Sequence, residues 1–290
     1  MRQIIHIGYP KTGTTWFQKE FYPNITNFKY LDREFFRSKI LYNSNKLTTD
    51  DKNILSSNLI ICEEEIVNIK QGYPLPIEKA KRIKEIFPKA IIIIFFRNQL
   101  DLLLSKYSEY IKSGGTYKIS DYFEHVISKE RLEQWDYLQI LKQYQNLFGK
   151  ESVHYFLYED FKSKPSIFIE KYIKQFQFEI PIDSIKLDKK NIRYAYPVIK
   201  LARFTNKMTK RQFYVKYTYK TNFIHIPFVL PVTHGFYKIL NTFYTNNKTN
   251  ISNFIDEDLF NFIVNYFIKV NKELYNELNL EDLKKYKYPL

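Results

Sequence analysis

The chain has 290 residues, of which 44% are hydrophobic and 18% aromatic, so it can bury one large core and is not a disordered tail. Its formal charge of +14 favours anionic partners, but charge alone does not choose among nucleic acids, anionic glycans, phosphorylated nucleotides and membrane surfaces. Cys62 is the only cysteine, which excludes an intrachain disulfide and a cysteine-based zinc site.

The sequence also bears on where the protein acts. The first strand-like run begins at Gln3, which leaves no room for a signal peptide, and no apolar stretch approaches the roughly 18 residues of a membrane span. A single cysteine suits a reducing compartment. We therefore expect a cytoplasmic protein, with peripheral contact at the inner membrane surface as an option that its positive charge allows.

Short apolar runs alternate with longer amphipathic runs through the first two-thirds of the chain. The apolar runs predict buried strands at Ile4–Gly8, Asn58–Cys62, Ala90–Phe96 and Ser152–Leu157. The amphipathic runs predict helices at Thr14–Tyr22, Ile77–Phe87, Gln99–Lys112 and Leu132–Phe148, with another after Pro165. Uninterrupted apolar strands separated by helices are typical of a parallel sheet covered on both faces. The predicted fold class is therefore α/β, with a three-layer, doubly wound parallel sheet.

The character of the chain changes in its last third. From Ile185 to Lys220, eleven lysines and arginines stand against one acidic residue, and tyrosines and phenylalanines lie between them. An amphipathic helix is predicted near the end, with an apolar stripe from Leu259 to Leu278 that packs on the core. We expect a core over residues 1–195 and a basic, aromatic and helical extension over residues 196–290, the two forming one continuous domain.

A glycine-containing loop links the first predicted strand to the first predicted helix. Gly8 ends the strand, Gly13 lies in the turn, and the helix starts at Thr14. A helix that starts directly after such a turn presents free backbone N–H groups to an anion. The loop therefore predicts a binding site for a phosphate-like group.

The loop nearly fits the pattern of nucleoside-triphosphate enzymes, in which a glycine and four residues precede Gly-Lys-Ser/Thr. Here Thr14 occupies the lysine position, and the lysine lies earlier, at Lys11. Such enzymes also need a carboxylate that holds Mg²⁺ beyond a later strand, whereas the run Ile91–Phe96 is followed by Arg97. A cation at that place favours a phosphate ligand over a metal.

The segment Tyr9–Trp16, with the sequence YPKTGTTW, resembles the 5'-phosphosulfate loop of sulfotransferases that use 3'-phosphoadenosine 5'-phosphosulfate (PAPS). Arg97 and Ser105, eight positions apart, resemble the pair that binds the nucleotide 3'-phosphate in that family. Two further segments are similar to family members, Val153–Asp160 and Glu281–Tyr288. The resemblance covers most of the first 180 residues and roughly the last forty, and it implies a fold of the P-loop nucleotide-hydrolase type.

The resemblance also implies roles for these residues. Lys11 is the candidate catalytic cation, because charge accumulates on the leaving phosphate oxygen during sulfuryl transfer. The loop backbone and the hydroxyls of Thr14 and Thr15 hold the 5'-phosphate, and Trp16 offers its ring to the adenine, with simple core packing as the alternative. The predicted donor-binding residues are Lys11, Thr12, Gly13, Thr14, Thr15, Trp16, Arg97, Ser105, Tyr158 and Arg193.

The basic segment has two interpretations besides a solvated face. It can surround the 3'-phosphate, or it can guide an anionic acceptor or a membrane surface. The Arg-Lys-Gly motif that cytosolic family members carry late in the chain is missing, so the third contact to the 3'-phosphate is left open. The candidates for the first role are Lys189, Lys190 and Arg193, and those for the second are Lys207, Lys210 and Arg211.

The acceptor must lose a proton, and three glutamates follow the predicted strand Asn58–Cys62. Cytosolic family members use a histidine in this region, where this chain has none, whereas glycan-modifying and bacterial members often place a glutamate there. Glu64 matches their pattern better than Glu63 or Glu65 and is the predicted general base, with a solvated acidic cluster as the alternative. Clustered carboxylates raise one another's pKa, which favours a base of intermediate strength.

We expect a sulfotransferase that moves a sulfuryl group from PAPS to a hydroxyl or amine, on a glycan or glycolipid, by in-line displacement. It releases 3'-phosphoadenosine 5'-phosphate (PAP) and needs no metal, and the histidines have no spacing that suggests a metal site. Nucleic acid is not an expected partner. Two alternatives stay open: a kinase of the same fold that uses ATP, and a non-enzymatic basic module that binds polyanions.

Overall fold

The computed structural model describes residues 1–42, 47–69, 72–127, 129–187, 193–207, 236–237, 239–242 and 255–290. The chain divides into two compact units. The first unit contains Met1–Arg97, Gln134–Lys190 and Glu273–Tyr286, and the second contains Asn98–Glu133, Asn191–Lys272 and Lys287–Leu290.

A five-stranded parallel sheet lies in the first unit. Its strands are β1 (Gln3–His6), β2 (Lys29–Tyr30), β3 (Leu59–Cys62), β4 (Ile91–Phe96) and β5 (Val153–Leu157), in the order β2-β3-β1-β4-β5. The chain runs from β1 to one side of the sheet and later to the other, which confirms the predicted doubly wound α/β class. The sequence pattern does not reveal β2, because two residues are too short for a periodic signal.

Helices alternate with the strands along the chain, as the sequence predicts. The α-helices whose bounds the structure describes are α1 (Thr14–Trp16), α2 (Arg33–Phe36), α3 (Thr49–Leu55), α4 (Pro76–Ile86), α5 (Gln99–Lys112), α6 (Ile119–Tyr122), α7 (Tyr137–Phe148), α8 (Tyr158–Ser163), α9 (Pro165–Phe176), α10 (Tyr196–Asn206), α11 (Glu257–Leu278) and α12 (Asp282–Lys285). A π-helical turn, Phe17–Phe21, continues α1 without a break, so the sequence pattern shows a single helix there.

Both faces of the sheet are packed. On one face, the Phe95 ring contacts Phe17 and Tyr172, with centroids 5.1 and 6.2 Å apart. On the other face, the Phe96 ring stacks on Tyr137 of α7 at a centroid distance of 4.6 Å. Successive side chains of a strand point to opposite faces. Burial on both faces therefore explains why the longer strands are uninterrupted apolar runs, and it gives the predicted three layers.

The register of the sheet brings the carboxyl ends of three strands to one edge. His6 of β1 pairs with Cys62 of β3 and with Ile93 of β4. The glycine-containing loop follows β1, while Glu63 and Arg97 are the first residues after β3 and β4. Ligands of doubly wound sheets bind at this edge, where the strand order reverses. The edge is therefore the place to look for the predicted site.

In the second unit, α10 packs on α5. The buried Asn206 side chain donates hydrogen bonds to the carbonyls of Ile111 and Gly115, at 2.7 and 2.9 Å. At the other end of α10, the N–H of Tyr194 donates to the Ser108 hydroxyl at 3.1 Å. A buried amide group needs hydrogen-bond partners, and Asn206 finds them in the chain at the end of α5. Together with the bond from Tyr194 to Ser108, these bonds hold both ends of α10 against α5.

The last long helix, α11, is the amphipathic helix that the sequence predicts. Its apolar stripe buries Ile263, Phe267, Val270 and Leu274. Of the helices in the described ranges, none combines the length and the apolar character that crossing a membrane requires.

Candidate active site

Two residues with left-handed backbone conformations shape the loop after β1. Lys11 has a φ of 72° and Gly13 a φ of 87°. Between them, the buried Thr12 hydroxyl donates to the Tyr9 carbonyl at 2.6 Å. Glycine adopts this conformation without steric cost, whereas a lysine does so only where its surroundings impose it. The bond from Thr12 to Tyr9 is thus one contact within the loop that stabilises the turn.

The helix after the loop starts close to β1. Gly13 is the N-cap of α1, and its carbonyl accepts a hydrogen bond from the Trp16 N–H at 2.9 Å. A Cβ at Gly8 would lie 2.5 Å from Thr14 Cγ2 and 2.8 Å from His6 Nε2, which is too close for a side chain. The first N–H groups of a helix have no intrahelical partner. The start of α1 therefore offers the donors on which the predicted phosphate site depends.

Glu64 lies beside this loop. Its carboxylate accepts a hydrogen bond from the Thr14 hydroxyl. Burial raises the pKa of Glu64, while the hydrogen bond from Thr14 and the charges of Arg33 and Lys11 act in the opposite direction. The net pKa lies above its ordinary value, which suits a group that takes a proton near neutral pH. The structure thus brings together three predicted residues: Lys11, Thr14 and Glu64.

Glu63, the preceding carboxylate, is paired elsewhere. It is fully buried and accepts hydrogen bonds from Arg33 Nε at 3.0 Å and from Arg37 Nη2 at 2.8 Å. Burial alone would raise the pKa of Glu63, but the hydrogen bonds from the two guanidinium groups outweigh it, and the pKa is lowered. These partners stabilise the ionised form of Glu63 and disfavour its protonation.

Lys79 of α4 holds the same turn from the other side. It is fully buried, and its Nζ donates to the carbonyls of Glu65 and Asn68 at 2.6 and 2.9 Å. The Glu65 carboxylate accepts a hydrogen bond from the Tyr42 hydroxyl at 3.1 Å. A buried ammonium group is destabilising unless it is hydrogen-bonded. The turn that carries Glu64 is therefore braced by basic side chains.

Arg97 reaches the loop from the end of β4. Its Nη1 donates to the Lys11 carbonyl at 2.5 Å, and its guanidinium lies 4.8 Å from the centroid of the Tyr158 ring. The Tyr137 hydroxyl donates to the Arg97 carbonyl at 2.6 Å. The side chain is buried, and within the described part of the chain its Nε has no hydrogen-bond partner. A buried unpaired donor is costly, so this Nε is a candidate contact for an anion.

Trp16 packs in the aromatic cluster next to the loop. Its ring stacks on Phe21 with centroids 5.5 Å apart and contacts Phe161 at 5.0 Å. Its Nε1 donates to the Lys186 carbonyl at 2.7 Å. Core packing thus covers part of the Trp16 ring, and the side chain as a whole is half-buried. Contact between Trp16 and an adenine stays a prediction.

Ser105 and Arg193 lie in the second unit. Ser105 is half-buried on α5, and Arg193 Nη1 pairs with Asp101 Oδ1 at 3.3 Å. Asp101 precedes Ser105 by four residues, so the two lie on one face of α5. The structure therefore brings Arg193 to the helical turn before Ser105. Binding of one 3'-phosphate by Arg97 and Ser105 together stays a prediction.

For two other predicted residues, the structure gives a position and an exposure, while their roles stay predictions. Thr15 is exposed in the first turn of α1, and Lys207 is exposed directly after α10. Within the described ranges, no group of three or more histidine, cysteine, aspartate or glutamate side chains could hold a metal ion. The remaining predicted cations, Lys189, Lys190, Lys210 and Arg211, lie outside the described residues.

The sequence pattern does not reveal the roles of Arg33, Arg37 and Lys79. The two arginines are four residues apart, which places them on one helical face, and they follow Asp32, the N-cap of α2. That spacing is a signal, although it does not reveal which carboxylate they meet. Lys79 leaves no signal, because a lysine in an amphipathic helix is ordinarily exposed.

Comparison with known proteins points to one family. The family model described as "Sulfotransferase domain" matches residues 1–212. Among solved structures, a sulfotransferase from Alicyclobacillus acidocaldarius is 16% identical, with a TM-score of 0.46, over 65% of this chain and 87% of that chain. The mouse sulfotransferase SULT7A1 complexed with PAP is 12% identical, with a TM-score of 0.40, over 85% and 84%. No curated protein matches the chain.

Proposed function

The chain belongs to the sulfotransferase family, whose model covers residues 1–212, and from this membership we propose its donor, its acceptor class and its catalytic residues. The donor is PAPS, the released nucleotide is PAP, and the acceptor carries a hydroxyl or an amine. The hydrogen bond from Thr14 to Glu64 carries the proposal, because it joins a carboxylate of raised pKa to the phosphate loop.

The residues after β1 and β4 suit the phosphate groups of this donor. The loop turns at Lys11 and Gly13 and packs closely at Gly8, so backbone rather than side chain faces the start of α1. Among the residues that the structure describes, the buried Nε of Arg97 has no hydrogen-bond partner. An anion there would supply the missing partner, and an arginine is well shaped for a phosphate. From the family resemblance, Ser105 and Arg193 are proposed as contacts of the 3'-phosphate.

In the proposed step, the acceptor oxygen or nitrogen attacks sulfur while the bond from sulfur to the bridging phosphate oxygen breaks. The acceptor proton passes to the Glu64 carboxylate. The negative charge that appears on the leaving phosphate oxygen is stabilised by the Lys11 ammonium. The charge of Lys11 already acts on Glu64, which supports roles for both at one reaction centre. The products are the sulfated acceptor, PAP and protonated Glu64.

We further propose that the acceptor is a glycan or a glycolipid. A glutamate rather than a histidine after β3 is the feature that resembles glycan-modifying and bacterial family members. Aromatic side chains make up 18% of the chain, and their faces suit stacking on sugar rings. With a glycolipid acceptor, the positive charge of the chain would also favour contact with the inner membrane surface.

Calorimetric titration with PAP, ATP and AMP tests the donor. We expect tight binding of PAP and much weaker binding of AMP, because only PAP carries a 3'-phosphate for Arg97. Lys11→Ala should lower PAP release from PAPS, measured with a panel of oligosaccharide acceptors, by about 10²- to 10³-fold. Lys19→Ala, which removes an exposed lysine from the π-helical turn after α1, is the control and should leave the rate unchanged. Equal binding of PAP and AMP would contradict the proposed donor.

A further inference from the structure

A cavity of about 180 Å³ lies in the second unit, where α10 faces α5 and the start of α6. Seven described residues line it: three cations, two tyrosines and two isoleucines, with no carboxylate among them. The cations are Lys118, Lys200 and Arg203. None of the predicted donor-binding residues is among the seven.

One face of α10 forms a wall of this cavity. Tyr196, Ile199, Lys200 and Arg203 follow the spacing i, i+3, i+4, i+7, which places them on a single helical stripe. In a helix that packs against a protein, such a stripe is ordinarily apolar. Here two of its four positions carry positive charge. The composition of this stripe therefore suits an anionic ligand better than a core contact.

The floor of the cavity is built before any ligand arrives. Tyr107 is buried, its hydroxyl donates to the Tyr117 carbonyl at 3.0 Å, and its side chain also hydrogen-bonds with Arg203. The bonds from Asn206 to the chain after α5 fix the α10 wall against the same helix. Sites for small molecules are usually preformed in this way, with a few polar groups that converge on an apolar floor.

The charges around the cavity are unbalanced. Lys200 Nζ lies 4.3 Å from the centroid of the Tyr196 ring, so a cation and an aromatic face are held together. The Asp121 carboxylate is near enough to raise the pKa of Tyr107, but it is not among the seven described lining residues, which include three cations. Like charges around one space repel, and a bound anion reduces that repulsion.

We propose that this cavity binds a compact organic oxyanion, namely the carboxylate, sulfate or phosphate group of a single sugar residue. Because none of the predicted donor-binding residues is among the seven described residues that line the cavity, this ligand is distinct from the proposed donor nucleotide. The cations hold the oxyanion, and the tyrosines contact the sugar ring. If the proposed transfer reaction is correct, the ligand is part of an acidic acceptor glycan. Only this identification of the ligand with the acceptor depends on the proposed function.

Calorimetric titrations at 0.15 M salt test the site with four probes: glucuronate, glucose 6-sulfate, glucose 6-phosphate and neutral glucose. At this salt concentration diffuse attraction is screened beyond about 8 Å. We expect at least one of the anions to bind with a stoichiometry of one, and glucose not to bind. The double variant Lys118→Ala/Lys200→Ala should weaken that binding by at least about tenfold, because it removes two charged contacts. Both lysines are exposed, so the variant should keep the thermal midpoint of the parent.

The matched control is Lys272→Ala, which removes one exposed lysine of α11 from the same unit. It should bind the anion as the parent does, and all variants should bind PAP unchanged. Failure of every anion to bind would overturn the proposal, as would equal weakening by Lys272→Ala. A loss of PAP affinity in the double variant would assign the cavity to the donor site instead. Because the PAP titration is separate, failure of the proposed donor and failure of this site are distinguishable.

Discussion

The loop after β1 and the turn after β3 leave the same edge of the sheet, but different forces hold them. In the loop, the bonds from Thr12 to Tyr9 and from Trp16 to Gly13 each join residues three positions apart. In the turn, the two arginines that hold Glu63 come from 30 and 26 positions away. The loop therefore combines local bonds with a bond from Arg97 to the Lys11 carbonyl, whereas the turn is held by the charged side chains of distant arginines that can be removed one at a time.

The two carboxylates at the start of the turn sharpen this comparison. Glu63 and Glu64 are neighbours in the chain, yet the pKa of Glu63 is lowered and that of Glu64 is raised. The first meets two guanidinium groups, while the second is half-buried beside the Thr14 hydroxyl. Environments that push neighbouring pKa values apart are typical of sites with assigned acid and base roles. The difference predicts that a substitution of Glu64 lowers the reaction rate, whereas a substitution of Glu63 lowers the stability of the fold.

The largest effect is expected from Glu64→Gln, which keeps the shape of the side chain and removes its ability to take a proton. PAP release from PAPS with an acceptor should fall by about 10²- to 10⁴-fold, because general-base catalysis is lost. Glu65→Gln alters the next glutamate and should change the rate little. Similar rates for the two variants would remove Glu64 from the mechanism.

The same pair of variants gives a pH test. The base must be ionised, so the parent rate should rise with pH through the raised pKa of Glu64, on the alkaline side of its ordinary value of 4.5. The Glu64→Gln variant should lack this acid limb in a profile of kcat against pH. An unchanged acid limb would show that another group titrates.

A smaller effect, on stability rather than chemistry, is expected from Glu63→Gln. Removing one partner from a buried ion pair leaves the other charge uncompensated. The side chains of Arg33 and Arg37 are 34% and 29% exposed, so water compensates part of their charge. We therefore expect the free energy of unfolding to fall by about 2 kcal/mol, less than for a fully buried pair. Urea unfolding measures this loss. The loop after β1 should keep its affinity for PAP, because its described bonds run within the loop and to Glu64 and Arg97 rather than to Glu63. A loss of PAP binding would contradict the comparison.

The lowered pKa of Glu63 also predicts how the free energy of unfolding depends on pH. The ionised form is favoured by folding, so its contribution to stability is complete above the ordinary pKa of 4.5 and is lost as pH falls through the lower folded value. The parent should therefore lose more free energy of unfolding between pH 5 and acid pH than Glu63→Gln does. Parallel curves for the two proteins would place the acid-sensitive group elsewhere.

The smallest effect is expected from Lys79→Met, which keeps most of the buried volume and removes two hydrogen bonds to the turn. We expect a loss of about 1 kcal/mol in urea unfolding, because the Glu65 and Asn68 carbonyls lose their ammonium partner. Lys81→Met, on the exposed face of the same helix, is the control and should stay within about 0.5 kcal/mol of the parent. Equal losses for the two variants would show that Lys79 does not brace the turn.

Much of the fold could be predicted because burial leaves a pattern in the sequence. The four longer strands are predicted since both faces of the sheet are covered, which makes every position of β4 apolar. The short edge strand β2 leaves no such pattern, and residues such as Arg33 and Lys79 acquire their roles only from groups far along the chain. The loop motif is contiguous, so the resemblance to sulfotransferases could be predicted from the sequence, and the family model over residues 1–212 confirms it.

The sequence by itself determined the α/β class, the loop from Gly8 to Thr15 and the family, since each depends on neighbouring residues or on the period of burial. The tertiary structure alone decided which glutamate is paired by arginines and which lies beside Thr14. It also decided that one stripe of α10 lines a basic cavity. The physical reason is that pKa shifts and ligand sites depend on distances through space, which become defined only when distant segments are packed together.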